Sequence, residues 1–435
     1  MRSSRADPVP EAVRPILTAG MERRNGLIFG GATLLIFLAA PVIYVGVVQA
    51  ALCQHLGASA EVANLPGATY LLGNLAPFIL SAIVPHRNER LTVVLANSLT
   101  SLSSFAIAIC LFLPAADSVR IGAIIAQGFV QGFGVSTSLV FIYQCLGRGT
   151  GQKARAKTLK RTFSAAPIAA VAGSLATQAV LNHGIPSLTY PHEFALIFLY
   201  AAICMASVAA LASRFELPPI ADEPRQPFFA YFKTSVLECV RSRGFVLLWV
   251  AYALWFSTLS VITNFALSAR DVLGRDPQEL AGISMALRFG GKCLIGYGLG
   301  ALAVREGIRA PVIATAGLVT VATLWAWFVP GYAYLLAFAL IGGGELGGAY
   351  FPNYIISSSP AAVGVRNLSL LTLATPAASL GAVLHGTLAG RFGFPASYLF
   401  GALTGALALL LVIRLPLKAA PAPMQATGSA REGRA

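Results

Sequence analysis

The feature that most constrains this chain is a series of twelve apolar runs, each close to the length that a helix needs to cross a bilayer. They occupy residues 27–52, 66–85, 92–114, 121–146, 163–181, 193–213, 245–268, 278–302, 310–329, 331–352, 367–389 and 395–413. The alternating pattern of a transmembrane strand is absent. Charged residues make up only 11% of the chain, against about 25% in a soluble domain. The sequence therefore predicts an all-α integral membrane protein with twelve transmembrane helices.

The lysines and arginines are unevenly distributed over the loops between these runs. If both termini are cytoplasmic, 25 of the 31 lie in inner segments, and the outer loops hold only Arg120, Arg270, Arg275 and Arg391. Cytoplasmic loops are enriched in Lys and Arg, so we expect a multi-pass protein of the inner (cytoplasmic) cell membrane with both termini cytoplasmic. The net charge of +14 then reflects the cytoplasmic loops, whose basic residues lie beside anionic lipid headgroups. No nucleic-acid partner is expected.

The longest inner loop divides the runs six and six. We therefore expect a cytoplasmic N-terminal tail at 1–26, two halves at 27–213 and 245–413, and a cytoplasmic linker at 214–244. Residues 414–435 are rich in Ala, Pro and Gly, which predicts a disordered cytoplasmic C-terminal tail.

The two halves share local patterns six runs apart, which predicts a parallel internal repeat and two pseudo-symmetric six-helix bundles. Runs five and eleven both open with R-x-x-S, runs two and eight are both followed by basic loops, and runs four and ten are both rich in glycine. The basic residues of these motifs are Arg161, Arg366, Arg87, Arg90, Arg305 and Arg309.

These patterns resemble the major facilitator superfamily of secondary transporters, over roughly residues 27–413. The segment from Gly300 to Arg309 is similar to the family loop G-x-L-A-D-R-x-G-R-R, with Val304 in place of the Asp. The resemblance implies that the six basic residues named above contribute to gating. Gly128 stands where proton-coupled drug exporters of the family carry an arginine, and the antiporter motif of run five is reduced to Ala166 and Pro167. Drug/proton antiport is therefore the alternative and not the first expectation.

Two cations, Arg288 and Lys292, lie near the middle of run eight, about 3 Å from the bilayer centre. Charge at this depth costs roughly 2.5–3.5 kcal/mol per residue, and the four-residue spacing places both on one helix face, where they repel. Glu345 is the only acidic residue in the interior of a run, at nearly the depth of Lys292. We expect Glu345 to pair with Lys292 and to leave Arg288 uncompensated. An anionic substrate would neutralise the remaining charge; a purely structural ion-pair network is the open alternative.

The repeat adds weaker candidates for the substrate site. Tyr70 and Asn74 occupy the positions in run two that Arg288 and Lys292 occupy in run eight, and Gln131 corresponds to Glu345. Asn264 lies on run seven. The predicted substrate-binding set is Arg288, Lys292, Tyr70, Asn74, Gln131 and Asn264, with Glu345 as the coupling residue. Monocarboxylate and oxalate–formate carriers of the superfamily look similar in placing a basic residue on span eight.

The sequence thus predicts a secondary active transporter that moves a small organic or phosphorylated anion by alternating access. We expect a monomer in the lipid bilayer, with a proton rather than sodium as coupling ion. Five scattered histidines and one intramembrane carboxylate argue against an enzyme, and the absence of metal-binding spacings argues against a metal or another cofactor. A proton-coupled exporter of drugs or lipophiles and a non-transporting membrane receptor are the alternatives.

Overall fold

The computed structural model describes residues 17–182, 184–185, 187–219, 228–359 and 364–415, and every regular element within them is helical. Up to residue 212 the helices are α1 (Ala19–Leu38), α2 (Ala40–Ile43), α3 (Val47–His55), α4 (Ala60–Ala63), α5 (Leu65–Gly73), α6 (Ala76–Ile83), α7 (Glu89–Phe112), α8 (Asp117–Gly149), α9 (Gln152–Leu181) and α10 (His192–Ala212).

From residue 228 they are α11 (Phe228–Arg241), α12 (Arg243–Leu259), α13 (Ile262–Leu267), α14 (Ala269–Leu273), α15 (Pro277–Glu306), α16 (Arg309–Phe328), α17 (Leu336–Gly344), α18 (Gly347–Ser358), α19 (Gly364–Thr372), α20 (Ala374–Ala377), α21 (Ser379–Phe392) and α22 (Phe394–Ile413). Most of the predicted tails, namely residues 1–16 and 416–435, lies outside the described residues, as does the linker segment 220–227.

Ten helical stretches in the described part of the chain are long and apolar enough to cross a membrane, judged by length and composition. They coincide with ten of the twelve predicted runs. The remaining two are run one, which the structure divides into α1, α2 and α3, and run eight, which is the continuous 30-residue helix α15. Arg288 and Lys292 lie in the middle of α15 and reduce its apolar character there.

Local sequence signals set the ends of α15. Pro277 occupies the first turn, and Asp276 and Glu279 form a reciprocal capping box that satisfies free backbone N–H groups. Gly307, with φ of 80°, ends the helix in the left-handed conformation that glycine adopts without a Cβ penalty. A long helix with defined ends therefore carries the two cations at its centre.

The helices pack in two groups that repeat the same pairings. In the first group α7 packs on α8 and α10, α5 packs on α8, and α1 packs on α9 and α10. In the second group α16 packs on α17 and α22, α15 packs on α17, and α12 packs on α20, α21 and α22. Each helix pair in the second group joins the two segments that lie six runs after the segments of a pair in the first group. The two groups meet chiefly where α9 packs on α15 and where α21 packs on α4 and α5.

Several of the membrane-length segments are broken near their middles, and the breaks face one central cavity. The segments are interrupted at Tyr44–Gly46, at Asn74–Leu75, at Ser260–Val261, at Glu345–Leu346 and at Leu373. Tyr44, Asn74, Ser260 and Glu345 line the cavity, as do Thr372 and Thr375 on either side of the last break. Non-helical backbone at membrane depth is tolerated where it lines such a space, because water there can satisfy the freed polar groups.

Candidate functional site

A cavity of about 450 Å³ lies between the two groups of helices. Its walls are formed by residues of α1, α5, α6, α8, α12, α13, α15, α18, α19, α20 and α21, together with the non-helical residues between them. Its size is that of a pocket for a small organic molecule. The formal charges on its walls come from three residues of the described chain, namely Arg288, Lys292 and Glu345.

Glu345 joins both cations. Its Oε2 atom lies 2.7 Å from the Nζ atom of Lys292, and its Oε1 atom accepts from Nε and Nη2 of Arg288. The expectation that Arg288 stays without a partner was therefore wrong: one carboxylate serves both cations, one through each oxygen. The side chains of Arg288, Lys292 and Glu345 are 14%, 23% and 11% exposed, so the cluster is largely buried but open to the cavity. Its net charge remains +1.

Glycines bring the two helices that carry this cluster into direct backbone contact. A Cβ atom on Gly342 of α17 would clash with the carbonyl group of Arg288 on α15, and one on Gly291 would clash with the carbonyl group of Ala339. Small residues at such a seam let helix backbones approach closely. The helix ends at Gly344, so Glu345 stands at the break before α18, facing both cations.

Aromatic rings surround the cations. The Arg288 guanidinium carbon lies 5.8 Å from the centre of the Phe289 ring, and the Lys292 Nζ atom lies 5.6 Å from it. Phe37 and Tyr44 each lie 6.3 Å from Phe289 between ring centres. Cations at these distances from a ring face are stabilised by its quadrupole. The unpaired positive charge of the cluster is thus partly compensated by rings and not by a second carboxylate.

A second aromatic group, which we call the α12 platform, consists of Tyr252, Trp255 and Phe256. The rings of Tyr252 and Trp255 are stacked with centres 5.5 Å apart, and Phe256 packs edge-on against both. All three residues line the cavity, and the edge of Trp255 lies against Gly347, two residues after Glu345. Sequence reasoning missed the platform, although its spacing of three and four residues places all three on one helix face.

The structure places two of the repeat-derived candidates in this cavity. Tyr70 and Asn74 line it from the opposite group of helices. The carbonyl group of Tyr70 leaves no room for a Cβ atom on Gly132 of α8, as that of Arg288 leaves none on Gly342. Tyr70 is thus held against its neighbouring helix in the same way as Arg288.

The structure places Gln131 and Asn264 away from the cavity walls. Gln131 is fully buried, and its Nε2 atom donates to Ser104 Oγ of α7 at 2.7 Å. Asn264 donates to Ser397 Oγ at 2.7 Å and to the His385 carbonyl oxygen at 3.0 Å. The physical reason is rotation about the helix axis: Gly132 faces Tyr70, so its neighbour Gln131 is turned by about 100° toward α7.

Asn264 instead ties the two groups of helices together at the end of the molecule away from Thr18 and Leu415. Its Oδ1 atom accepts from Asn64 Nδ2 at 2.7 Å, in a buried position. Asn64 stands between α4 and α5, whereas Asn264 belongs to α13, so this hydrogen bond crosses between the groups. Gly386 of α21 packs directly against Asn64. Packed side chains therefore join the two groups of helices at this end.

The predicted gating arginines lie at the end that holds Thr18 and Leu415. Arg90 donates to the Phe215 carbonyl oxygen at 3.1 Å, and Arg309 donates to the Ile413 carbonyl oxygen, each contact lying within its own group of helices. Arg87, Arg161 and Arg305 are exposed at the same end, and the side chain of Arg366 lies outside what the structure describes.

An ion pair that the motif analysis did not single out lies beside them. Glu89 at the start of α7 is buried, and its Oε2 atom lies 2.9 Å from Nη1 of Arg148 at the end of α8. Arg148 also donates to the Pro218 carbonyl oxygen at 2.7 Å. The pair therefore fixes the start of α7 and the end of α8 to the segment that follows α10.

Solved structures of transporters share this fold. The nucleoside transporter NupG matches with a TM-score of 0.63 and 12% identity, over 90% of this chain and 98% of that one. The POT family transporter PepTSo matches with a TM-score of 0.65 and 12% identity, over 90% and 96%. A D-xylose–proton symporter matches with a TM-score of 0.62 and 14% identity, over 91% and 96%.

No protein-family model matches the chain, and no curated protein matches it. The likeness at this level of identity concerns the fold alone, and it confirms the fold that the resemblance to the major facilitator superfamily implied.

Proposed function

We propose that this protein is a secondary active transporter that carries a small organic or phosphorylated anion across the membrane by alternating access. The proposal places twelve spans in two halves, at 27–213 and 245–413, with a linker at 214–244 and both termini in the cytoplasm. It assigns the protein to the inner cell membrane as a monomer. The paired packing of the two helix groups and the cavity between them support this arrangement.

The observation that carries the proposal is the cluster of Arg288, Lys292 and Glu345 on the cavity wall. Two cations share one carboxylate, so one positive charge is left over at the middle of the bundle. A structural ion-pair network would gain most from balanced charges, because an uncompensated buried charge is costly. An anion entering the cavity completes the balance, and Arg288 offers a planar guanidinium suited to carboxylate or phosphate.

The neutral residues Tyr70 and Asn74 complete the proposed site from the other group of helices. Glu345 is proposed as the coupling residue, with a proton as the coupling ion. Protonation of this carboxylate would release two cations at once, which changes the charge of the site by one unit. Rocking of one helix group against the other around a midplane site would then depend on the proton.

The test is ligand-dependent thermal stabilisation of the purified protein with a panel of small carboxylates and phosphate monoesters. A ligand at a hundredfold excess over its Kd stabilises by about 2.7 kcal/mol. We expect at least one anion of the panel to stabilise the wild type, Arg288→Gln to lose that stabilisation, and Arg288→Lys to keep part of it, since the planar guanidinium is lost but the charge stays.

Arg391→Gln is the matched control, because it removes one exposed arginine at the end of α21 that does not line the cavity. It should retain the full ligand effect. Flux of the same anion into proteoliposomes then separates a transporter from a receptor that binds without flux. Undiminished anion binding in Arg288→Gln would contradict the proposed site.

A further inference from the structure

The cavity combines one surplus positive charge with walls that are otherwise largely aromatic and aliphatic. From this combination we infer that the substrate is an aromatic or planar apolar monocarboxylate. Its carboxylate binds at Arg288 and Lys292, and its ring packs on the α12 platform at Phe256, which is half-buried, whereas Tyr252 and Trp255 are buried. The inference rests on the proposed function and narrows its substrate class from organic or phosphorylated anions in general.

With Glu345 ionised, as its contacts with both cations require, the charge balance selects a monoanion. Arg288, Lys292 and Glu345 sum to one positive charge, and the cavity walls carry no further charged side chain among the described residues. A single carboxylate brings the site to neutrality, whereas a dicarboxylate or a phosphate dianion leaves a net negative charge in a largely buried place. Such a charge is costly without a partner.

The two cations retain hydrogen-bond donors for a second carboxylate. Arg288 directs Nε and Nη2 to Glu345, while its Nη1 atom contacts the sulfur of Met285 at 3.5 Å, and thioether sulfur is a weak acceptor. Lys292 has three N–H donors, of which the contact with Glu345 occupies one. The remaining donors of both residues can bind the two oxygens of one substrate carboxylate.

The aromatic residues define where the rest of the substrate lies. Trp255 lies against Gly347, two residues from Glu345, so the α12 platform adjoins the charged cluster across the break between α17 and α18. The indole N–H of Trp255 is buried and has no hydrogen-bond partner among the described residues. On the other side Phe289 lies beside both cations, and Phe37 and Tyr44 pack against Phe289.

Aliphatic residues extend the apolar surface, among them Leu71, Leu139, Leu259 and Ile262. With about 450 Å³ of space, a two-carbon acid would leave most of these walls in contact with water. A ring attached to the carboxylate buries them and gains the corresponding apolar contacts.

The experiment measures thermal stabilisation and proteoliposome counterflow with a matched series of probes: 3-phenylpropanoate, propanoate, phthalate, phenyl phosphate and 3-phenylpropanol. We expect 3-phenylpropanoate to bind at least tenfold more tightly than each of the others. Propanoate lacks the ring, phthalate and phenyl phosphate carry extra charge, and 3-phenylpropanol lacks the anion.

Variants then locate the ring. Phe256→Ala should weaken 3-phenylpropanoate at least tenfold and leave the affinity for propanoate unchanged, while Phe256→Tyr should retain most of the affinity. Phe328→Ala is the control, because Phe328 is exposed outside the cavity walls and stacks on Trp327. Should Phe256→Ala fail to fold, the series of probes on the wild type decides by itself.

The outcomes separate this inference from the proposed function. Tight, Arg288-dependent binding of propanoate, phthalate or phenyl phosphate with no gain from the phenyl ring of 3-phenylpropanoate would overturn the inference and leave anion transport standing. Binding of 3-phenylpropanol that equals that of 3-phenylpropanoate and persists in Arg288→Gln would overturn both and favour export of neutral lipophiles.

Discussion

At the scale of single residues, the chemistry of the cavity centres on one carboxylate with two cationic partners. Each carboxylate oxygen of Glu345 contacts a different cation, so the protonation state of Glu345 controls whether Arg288 and Lys292 are held by it. Loss of its charge would leave Arg288 and Lys292 facing each other one helical turn apart, where like charges repel. A residue in this position can link the binding of a proton to that of an anion.

The prediction at this scale concerns Glu345→Gln. If Glu345 couples protons, the variant should exchange substrate across the membrane at near wild-type rates but lose pH-driven accumulation, because the group that binds the proton is gone. Exchange and pH-driven uptake are measured in proteoliposomes with and without a pH gradient. Survival of both activities would exclude proton coupling at this residue and favour sodium or anion exchange.

The stability of the same variant provides the control. Removing one partner of a buried pair costs about 3 kcal/mol or more, because the remaining charges are left buried and uncompensated. Glu345→Gln should therefore unfold at a lower temperature, and addition of Lys292→Met should restore much of the loss. A purely structural role predicts that the stability changes while coupling does not.

The sequence predicted the pairing of Lys292 with Glu345 because both lie at the same depth on their helices. Depth is a coordinate along the helix axis and contains no information on rotation about it. For this reason the second contact, from Arg288 to the other oxygen of Glu345, was not foreseen. The missing information on rotation also explains the wrong prediction for Gln131, which lies at the depth of the cavity but whose side chain points to Ser104.

At the scale of helices, glycine contacts and mid-membrane breaks determine the shape of the site. Gly132 and Gly342 each lie against the carbonyl group of a cavity residue, Tyr70 in one case and Arg288 in the other. The positions of these two residues are thereby fixed relative to α8 and α17. The helix pairs α5–α8 and α15–α17 should accordingly move as units.

We predict that Gly342→Ala disrupts the site through backbone displacement. Its Cβ atom would clash with the Arg288 carbonyl group, so α15 must shift away from α17, which lowers the thermal stability and weakens anion binding. Both are measured on the purified variant. Gly298→Ala is the matched control on α15, since its Cβ atom meets nothing within 4 Å.

The control variant should be neutral or stabilising, because alanine favours a helix interior by about 1 kcal/mol over glycine. A Gly342→Ala protein that is as stable and binds as well as Gly298→Ala would show that the seam between α15 and α17 tolerates separation.

The positions of the membrane-length helices were predictable from the hydropathy and length of the apolar runs, whereas the breaks within these helices were not. Tyr44–Gly46 and Glu345–Leu346 interrupt segments whose hydropathy continues on either side. Breaks of this kind depend on which neighbouring groups satisfy the freed backbone, and that is a property of the packed bundle. The prediction of one continuous helix over run one therefore missed the division into α1, α2 and α3.

At the scale of the whole molecule, the repeated pairings of the two helix groups were predictable in outline from the shared motifs of the two halves. The contacts between the two groups were not predictable, because pairs such as Asn64 and Asn264 lie 200 positions apart in the sequence and no motif connects them. Substrate access from alternate sides requires that such contacts form and break.

We predict that both termini and the linker at 214–244 are cytoplasmic. Fusions of a reporter that is active only outside the cytoplasm should be active after Arg120, Arg275 and Arg391, since these are the sparse basic residues of the predicted outer loops. Fusions after Gly151 and Gly307 serve as controls and should be inactive. Activity in the controls, or its absence at two of the three outer sites, would contradict this topology.

The location of the charged cluster has an electrical consequence. Arg288, Lys292 and Glu345 all belong to one group of helices, while the other group contributes neutral side chains to the cavity. An elementary charge that crosses a potential of 100 mV exchanges about 2.3 kcal/mol with it. While Glu345 is ionised, the site holds one positive charge when empty and none when a monoanion is bound, whereas a coupling proton on Glu345 restores one positive charge to the loaded site. An inside-negative potential would then draw both the unloaded carrier and the carrier loaded with proton and monoanion toward the cytoplasm-facing form, so that it favours entry of the substrate and opposes the return of the empty carrier.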